Sequence, residues 1–222
     1  MSKKSDSWVE SLETGLQFLK ELGVDFLVAE KKERNKKDDL LLIHSHIQSC
    51  CRCPLARTRK NPVPGEGNFD ADLMFVGEAP GVDEDAQGRP FVGRAGQLLT
   101  KIIEAMRRTR EEVYITNVVK CRPPENRTPH PDEIEKCRGY LLAQVEIIKP
   151  RVIITLGKVA TEFFVPVEGN MTSLRGNFYA FGDILVMPTF HPAYVLRNEG
   201  NKAIKKLVWQ DMQKVMTVLG QQ

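Results

Sequence analysis

The chain has 222 residues, 41% hydrophobic and 27% charged, with a formal net charge of +3. This is the make-up of an ordinary globular domain, long enough to bury its apolar surface without disulfides, and its mild basicity is compatible with nucleic acid without identifying it. No uninterrupted apolar run approaches a membrane span and MSKKSDSWVE lacks a signal-peptide core, so a cytoplasmic protein with no membrane contact is expected; in that reducing setting five cysteines point to metal binding rather than a disulfide framework.

Within residues 8–27, Trp8, Leu12, Leu16, Leu19 and Leu22 recur near helical spacing and predict an amphipathic helix. EKKERNKKDD (30–39) reads as a charged linker, which divides the chain into a helical extension (1–40) and a main domain (41–222). A second helix over DDLLLIHSHIQ leads into CCRCPLARTRK, residues 50–60. From residue 70 four short β-branched runs follow, at 71–77, 112–119, 151–157 and 184–190, each expected to be a buried strand. Helical patterns separate them: AGQLLTKIIEAMRR, HPDEIEKCRGYLLAQVEII and GKVATEFF, with NKAIKKLVWQDMQKVMTVLG last. That alternation predicts a parallel sheet covered on both faces, with SLRGNFYAFGD (173–183) forming a small hairpin before the fourth strand.

In such sheets ligands bind beyond the carboxyl ends of the strands. The four exits here are GEAPG, TNVVKCRPPENR, GKVAT and HPAYVLRN, which bring a carboxylate, an amide, an imidazole and several bases to one rim. Cys50 and Cys53 form a C-x2-C pair, and Cys121 and Cys137 stand far downstream. Four thiolates suit tetrahedral zinc or an iron–sulfur cluster. A zinc ribbon would offer two tight knuckles where this chain has one, and Pro54 directly after Cys53 matches the Cys-Pro habit of ferredoxin ligands, so the spacing favours [4Fe-4S]. The loop GEAPGVDEDAQGRPFVGRAG (77–96) matches neither phosphate-binding glycine motif and holds no Walker lysine; it can instead place a carboxylate near a water, with Phe91 offering an aromatic face. Asn117, at the end of a buried strand, has the donor and acceptor needed to read one edge of a nucleobase. His191 can stabilise negative charge on a leaving group.

Taken together, C-x2-C-P-L, GEAPG, GRPFVGRAG, YITNVVKCRPPENRTP, Cys137, ITLGKVAT and HPAYVLRN, in this order over residues 45–215, resemble the family 4 (iron–sulfur) uracil-DNA glycosylases. The resemblance implies a three-layer α/β/α sandwich around a four-stranded parallel sheet. It also implies a monofunctional DNA glycosylase that hydrolyses the uracil–deoxyribose bond in single- and double-stranded DNA, the start of base excision repair. Phe91 would stack on the flipped uracil, Asn117 would bond O4 and N3, and His191 would donate to O2. Backbone at Gly77 and Gly81 would lie beside the base, and Asn126 would help hold the attacking water. The better-known uracil glycosylases carry an aspartate one position after Glu78; here that position is Ala79, so Glu78 and Glu84 remain as alternatives for orienting the water. Cys50, Cys53, Cys121 and Cys137 would hold the [4Fe-4S] cluster, leaving Cys51 surplus.

The same resemblance makes HPAYVLRN the DNA-entering loop, with Tyr194, Val195 and Leu196 as wedges and Arg197 on phosphate. Arg52, Arg57, Arg59 and Lys60 are candidate backbone contacts beside the cysteines. A monomer acting at the nucleoid is expected. The N-terminal helix either docks a replication or repair protein or packs on its own domain. Two readings compete: a non-catalytic iron–sulfur DNA-binding accessory module associated with a replication polymerase, and a zinc-stabilised hydrolase of small nucleotides. Free uracil release separates the enzyme from the first, and visible absorbance separates the cluster from zinc.

Overall fold

The computed structural model describes residues 14, 17, 18, 20, 21, 35–166 and 168–220. Its strands are β1 (Glu66–Gly67), β2 (Leu73–Gly77), β3 (Tyr114–Asn117), β4 (Val152–Leu156), β5 (Tyr179–Phe181) and β6 (Ile184–Thr189). Its helices are α1 (Lys36–Gln48), α2 (Val82–Gln87), α3 (Arg94–Ala105), α4 (Pro131–Ile148), α5 (Lys158–Phe164), α6 (Met171–Leu174), α7 (Pro192–Arg197) and α8 (Lys202–Val218). The strands form one sheet in the order β1-β3-β2-β4-β6-β5.

The four expected strands are the parallel centre, β3-β2-β4-β6. Alternate side chains of each go to opposite faces. Met74, Val76, Tyr114 and Ile153 join a core built with Leu40, Ile43 and Ile47 of α1, Leu141 and Val145 of α4, and Phe164 of α5. Leu73, Phe75, Ile115 and Ile154 join the opposite core with Leu99 and Ile103 of α3 and Met212 and Val215 of α8. Apolar residues on both faces of every central strand are what force helices onto both sides, and each such side chain fully buried contributes roughly 1.5–3 kcal/mol.

The sheet has six strands rather than four. Two antiparallel edges extend it, β1 on β3 and β5 on β6. β1 has only two residues, too few for any periodicity, and Gly67 (φ 122°) lies so close to the Val113 carbonyl that a Cβ would collide with it. The expected hairpin is shifted: residues 171–174 form α6, and the turn between β5 and β6 is at Gly182 (φ 58°). α2 and α7 lie in stretches read as loops, since six-residue helices carry too few apolar positions to show a period.

α1 begins within the charged run, capped by Asn35, whose side chain accepts from the Lys37 N–H at 3.1 Å; Asp38 and Asp39 favour the positive end of its dipole. The helix thus begins two residues before the DDLLLIHSHIQ expected for it, taking Lys36 and Lys37 from the stretch read as linker, and it runs across residue 40, where the extension was divided from the main domain. Trp8, Leu12, Leu16, Leu19 and Leu22 lie outside the described residues. Thr14, Gln17, Phe18, Lys20 and Glu21 are helical, and Phe18 is buried edge-on against Tyr140, ring centroids 4.9 Å apart. Arg52 covers the other side of that ring at 4.6 Å, and Gly139 leaves the room for it. At least this residue of the extension packs on its own domain.

From β2 the chain moves to β3 on one side and returns to β4 on the other. The carboxyl ends of β2 and β4 therefore flank a topological switch point, the place where this architecture opens a crevice.

Candidate active site and cysteine centre

A cleft of about 670 Å³ opens at that switch point, and residues from every central strand exit reach it: Glu78, Asn117, Gly157 and His191. The exits of β2 and β3 are tied together beyond the sheet, Val118 N–H to Gly77 O at 2.9 Å and Val119 N–H to Glu78 O at 3.1 Å.

Phe91 forms one wall in a strained conformation, φ 52°, with its ring 5.8 Å from the His191 ring. What holds the strain is Arg110. Its guanidinium donates to Phe91 O at 3.1 Å and to Pro90 O at 2.7 Å, and is itself anchored on Glu66. Gly96 fits the bend because a Cβ there would run into the Phe91 carbonyl. Gly77 has a similar reason: a Cβ would overlap Asn117 Oδ1 and the Phe91 ring.

Asn117 is buried, and its Oδ1 is the only buried side-chain nitrogen or oxygen among the described residues without a hydrogen-bond partner. An orphaned acceptor of this kind costs on the order of 1–3 kcal/mol. Asn117 is among the residues that line the cleft.

His191 is the N-cap of α7, and its Nδ1 accepts from the Ala193 N–H at 3.1 Å. In the neutral ring this leaves the proton on Nε2. Burial, with the Arg197 charge acting in the same direction and Glu84 opposing, lowers its pKa to about 4, so it stands neutral at pH 7. Glu78 is half-buried on the cleft wall; burial raises its pKa, and a hydrogen bond from the Thr128 hydroxyl partly offsets that. Glu84 is differently placed. Oε1 accepts from the Val92 and Gly93 N–H groups at 2.9 and 3.0 Å, and Oε2 from Gly81 N–H at 3.1 Å. Its carboxylate organises the loop and occupies the Gly81 amide. Asn126 lines the cleft with φ 56°, its Oδ1 accepting from Arg122 Nε at 2.8 Å.

The α7 residues separate by face. Tyr194 is exposed on the cleft rim, its ring 5.1 Å from Phe190, and Arg197 is exposed beside it. Leu196 is half-buried. Val195 points the other way and is 3% exposed in a cluster with Phe190, Ile204 and Val208, so its reading as a wedge is corrected.

Cys50, Cys53, Cys121 and Cys137 line one pocket on the α1–α4 side of the sheet, and exposed Cys51 is not among its walls. Among the described residues no three metal-ligating side chains stand as a ready site for a single ion. The surroundings nevertheless suit thiolates. Arg59 Nη1 donates to Cys121 Sγ at 2.8 Å, and the Lys120 N–H donates to Cys137 Sγ at 3.3 Å. Burial pushes the free Cys137 thiol up to about 12, and it raises Cys121 and Cys53 as well, so the thiolates need a positive partner to form. Arg59 was read as a DNA-backbone contact; its second nitrogen bonds Cys50 O at 2.8 Å and Gln48 O at 3.3 Å, so the whole guanidinium is turned inward. Arg57 and Lys60 remain exposed, and exposed Arg52 lies over Phe18.

Two contributors were not foreseen. Arg110 looked like one more surface base in MRRTR, and nothing local marks its reach to Phe91. Lys120 is 1% exposed, with burial lowering its pKa to about 7 against the opposing pull of Cys137 and Cys121. Its place three residues after Asn117 and one before Cys121, inside an apolar run, was the available signal.

A mostly parallel sheet with a switch-point cleft, carrying an aromatic wall, an unpaired amide and a neutral imidazole, defines a base-recognising α/β protein. The sequence model of the Uracil DNA glycosylase superfamily matches residues 64–213, and the chain belongs to that superfamily. It is similar to the type-4 uracil-DNA glycosylase of Thermotoga maritima, 48% identical over 180 residues that cover 80% of this chain and 93% of that protein. It is also 48% identical over 191 residues to the type-4 enzyme of Saccharolobus solfataricus, covering 82% of this chain and 87% of the relative. The type-4 enzyme of Sulfurisphaera tokodaii is 46% identical over 187 residues, 80% of this chain and 84% of its own.

Proposed function

We propose that the chain excises uracil from DNA by hydrolysing the N-glycosidic bond, leaving an abasic site. The observation that carries this reading is the buried, unpaired Oδ1 of Asn117, a residue that lines a cleft together with Phe91 and His191. Uracil N3–H is the donor that this acceptor lacks, and the amide's NH₂ matches O4. Cytosine presents the opposite pattern at both atoms, so it would leave the buried amide unsatisfied.

Bond breaking leaves electrons on the departing pyrimidine and an oxocarbenium-like sugar. His191 Nε2–H donates to uracil O2 as charge builds there, and its lowered pKa keeps it a neutral donor rather than a proton source. Glu78 orients and deprotonates the attacking water, since Glu84 is committed to three backbone amides. Tyr194 fills the space left by the flipped base, and Arg197 meets the phosphate beside it. The non-catalytic accessory reading has no use for an unsatisfied amide in the cleft.

Cys50, Cys53, Cys121 and Cys137 hold a [4Fe-4S] cluster in this reading, with Arg59 and the Lys120 amide donating to the sulfurs. When bound, the cluster supplies ties between α1, the β3 exit and α4. The chain acts as a monomer on single- and double-stranded DNA.

The test is uracil release from single-stranded, U·G and U·A substrates by the wild type and His191→Ala. The expected result is alkali-labile sites from the wild type on all three and a loss of roughly a hundred-fold or more in the variant. No release from any substrate by protein with intact visible absorbance overturns the proposal.

A further inference from the structure

We infer that Lys120 is a positioning residue for uracil recognition, whose buried side-chain nitrogen fixes the main chain of Asn117; this rests on the uracil reading above. Within the protein the Asn117 Oδ1 accepts no hydrogen bond that would fix the amide's direction. The amide's aim is therefore set from its backbone. Asn117 is the last residue of β3, where pairing with Gly77 of β2 ends. A buried carbonyl at a strand end requires a donor. Lys120 Nζ supplies it, at 2.7 Å from Asn117 O.

The same nitrogen lies 2.6 Å from Thr116 Oγ1 and 2.7 Å from Gln144 Oε1 of α4. All three acceptors are uncharged. Three short contacts define one position for Nζ, unlike a surface lysine that swings through many rotamers. The acceptors are themselves fixed. Thr116 Oγ1 and Gln144 Nε2 both donate to Pro64 O at 2.8 Å, and Gln144 Nε2 also donates to Tyr114 OH at 3.1 Å. His44 Nε2 of α1 closes the chain of contacts, 2.9 Å from the same hydroxyl. At its other end Lys120 is seated against the cysteine pocket through its own N–H on Cys137 Sγ. One residue thus joins α4, the cysteine pocket and the strand end that carries the base-reading amide, without touching the base.

A residue that only stabilised the fold would lower melting temperature without changing how uracil is recognised. The experiment compares Lys120→Met with Gln144→Met, which removes buried bonds of the same network but leaves the Lys120–Asn117 link. Each full-length variant is checked for visible absorbance and melting temperature, then for kcat and KM on single-stranded uracil DNA and for inhibition by free uracil. Loss of an oriented contact to a base edge weakens binding roughly 10- to 100-fold. Lys120→Met is expected to raise the uracil inhibition constant about tenfold or more, and Gln144→Met to leave it within about threefold at a comparable melting temperature. Should Lys120→Met fail to fold, Lys120→Gln, a shorter polar side chain that ends in an amide in place of the amine, is read the same way. Equal uracil inhibition in the wild type and the Lys120 variant overturns this inference while leaving the glycosylase reading intact. Absence of uracil release by the wild type is the separate failure of that reading.

Discussion

The cysteine pocket and the cleft both draw residues from the β3 exit, and they treat polar groups in opposite ways. Around the cysteines donors are supplied in excess: Arg59 makes three bonds there and Lys120 adds its amide. At the cleft the Asn117 acceptor is left with none. The first arrangement holds loops still, and the second withholds a bond until the right ligand arrives. Buried polar groups without partners are rare because they lower stability, so such a group in a cleft marks the place where binding completes the structure.

Substitutions at the two ends should therefore fail differently. The largest effect is expected from Cys137→Ala, which removes one of four anchors: visible absorbance is lost and the melting temperature falls by on the order of 10 °C. A variant that stays coloured and equally stable would remove Cys137 from the ligand set. Glu78→Gln, at the cleft, should keep colour and melting temperature while lowering kcat roughly a hundred- to ten-thousand-fold.

The pH dependence sharpens the same contrast. Because burial raises Glu78, its protonated, inactive form persists above the usual glutamate range, so activity is lost on acidification earlier than an exposed glutamate would dictate. His191, neutral down to about 4, contributes no limb near its ordinary value of 6.5. A kcat/KM profile that breaks near pH 6.5 and survives in Glu78→Gln would contradict both assignments. Stability follows a related rule. His191 and His44 are both lowered to about 4, so the stabilisation from holding them neutral is present above 6.5 and declines as pH falls toward 4.

Smaller effects test the margin of the cysteine end. Phe18→Ala removes the ring between Tyr140 and Arg52 and should lower stability by roughly 1.5–3 kcal/mol with excision unchanged. No change in melting temperature would mean that this packing does not hold the extension. Cys51→Ser, exposed and outside the pocket, should be silent within about 0.5 kcal/mol.

The parts of the fold legible in the sequence were those with a repeating physical cause. The central strands are apolar on both faces, and α3, α4 and α8 carry a helical period long enough to see. β1, α2 and α7 are too short for that, and β1 depends on a close approach at Gly67 that only the folded chain defines. In the candidate site, residue types converging at the strand exits were readable, which is why Phe91, Asn117 and His191 share one cleft. Direction was not readable. Nothing in LARTRK says that Arg59 turns inward while Lys60 stays out, or that Val195 is buried where its neighbour Tyr194 is exposed. Lys120 was hidden by the ordinary expectation that lysines are solvated.

The most direct test of the account is the rate of base release from otherwise identical uracil and cytosine oligonucleotides by the wild type and Asn117→Ala. The account predicts rapid uracil release and no cytosine release by the wild type, with uracil release reduced roughly a hundred-fold or more in the variant while its visible absorbance stays unchanged. Uracil release by Asn117→Ala at the wild-type rate would contradict it.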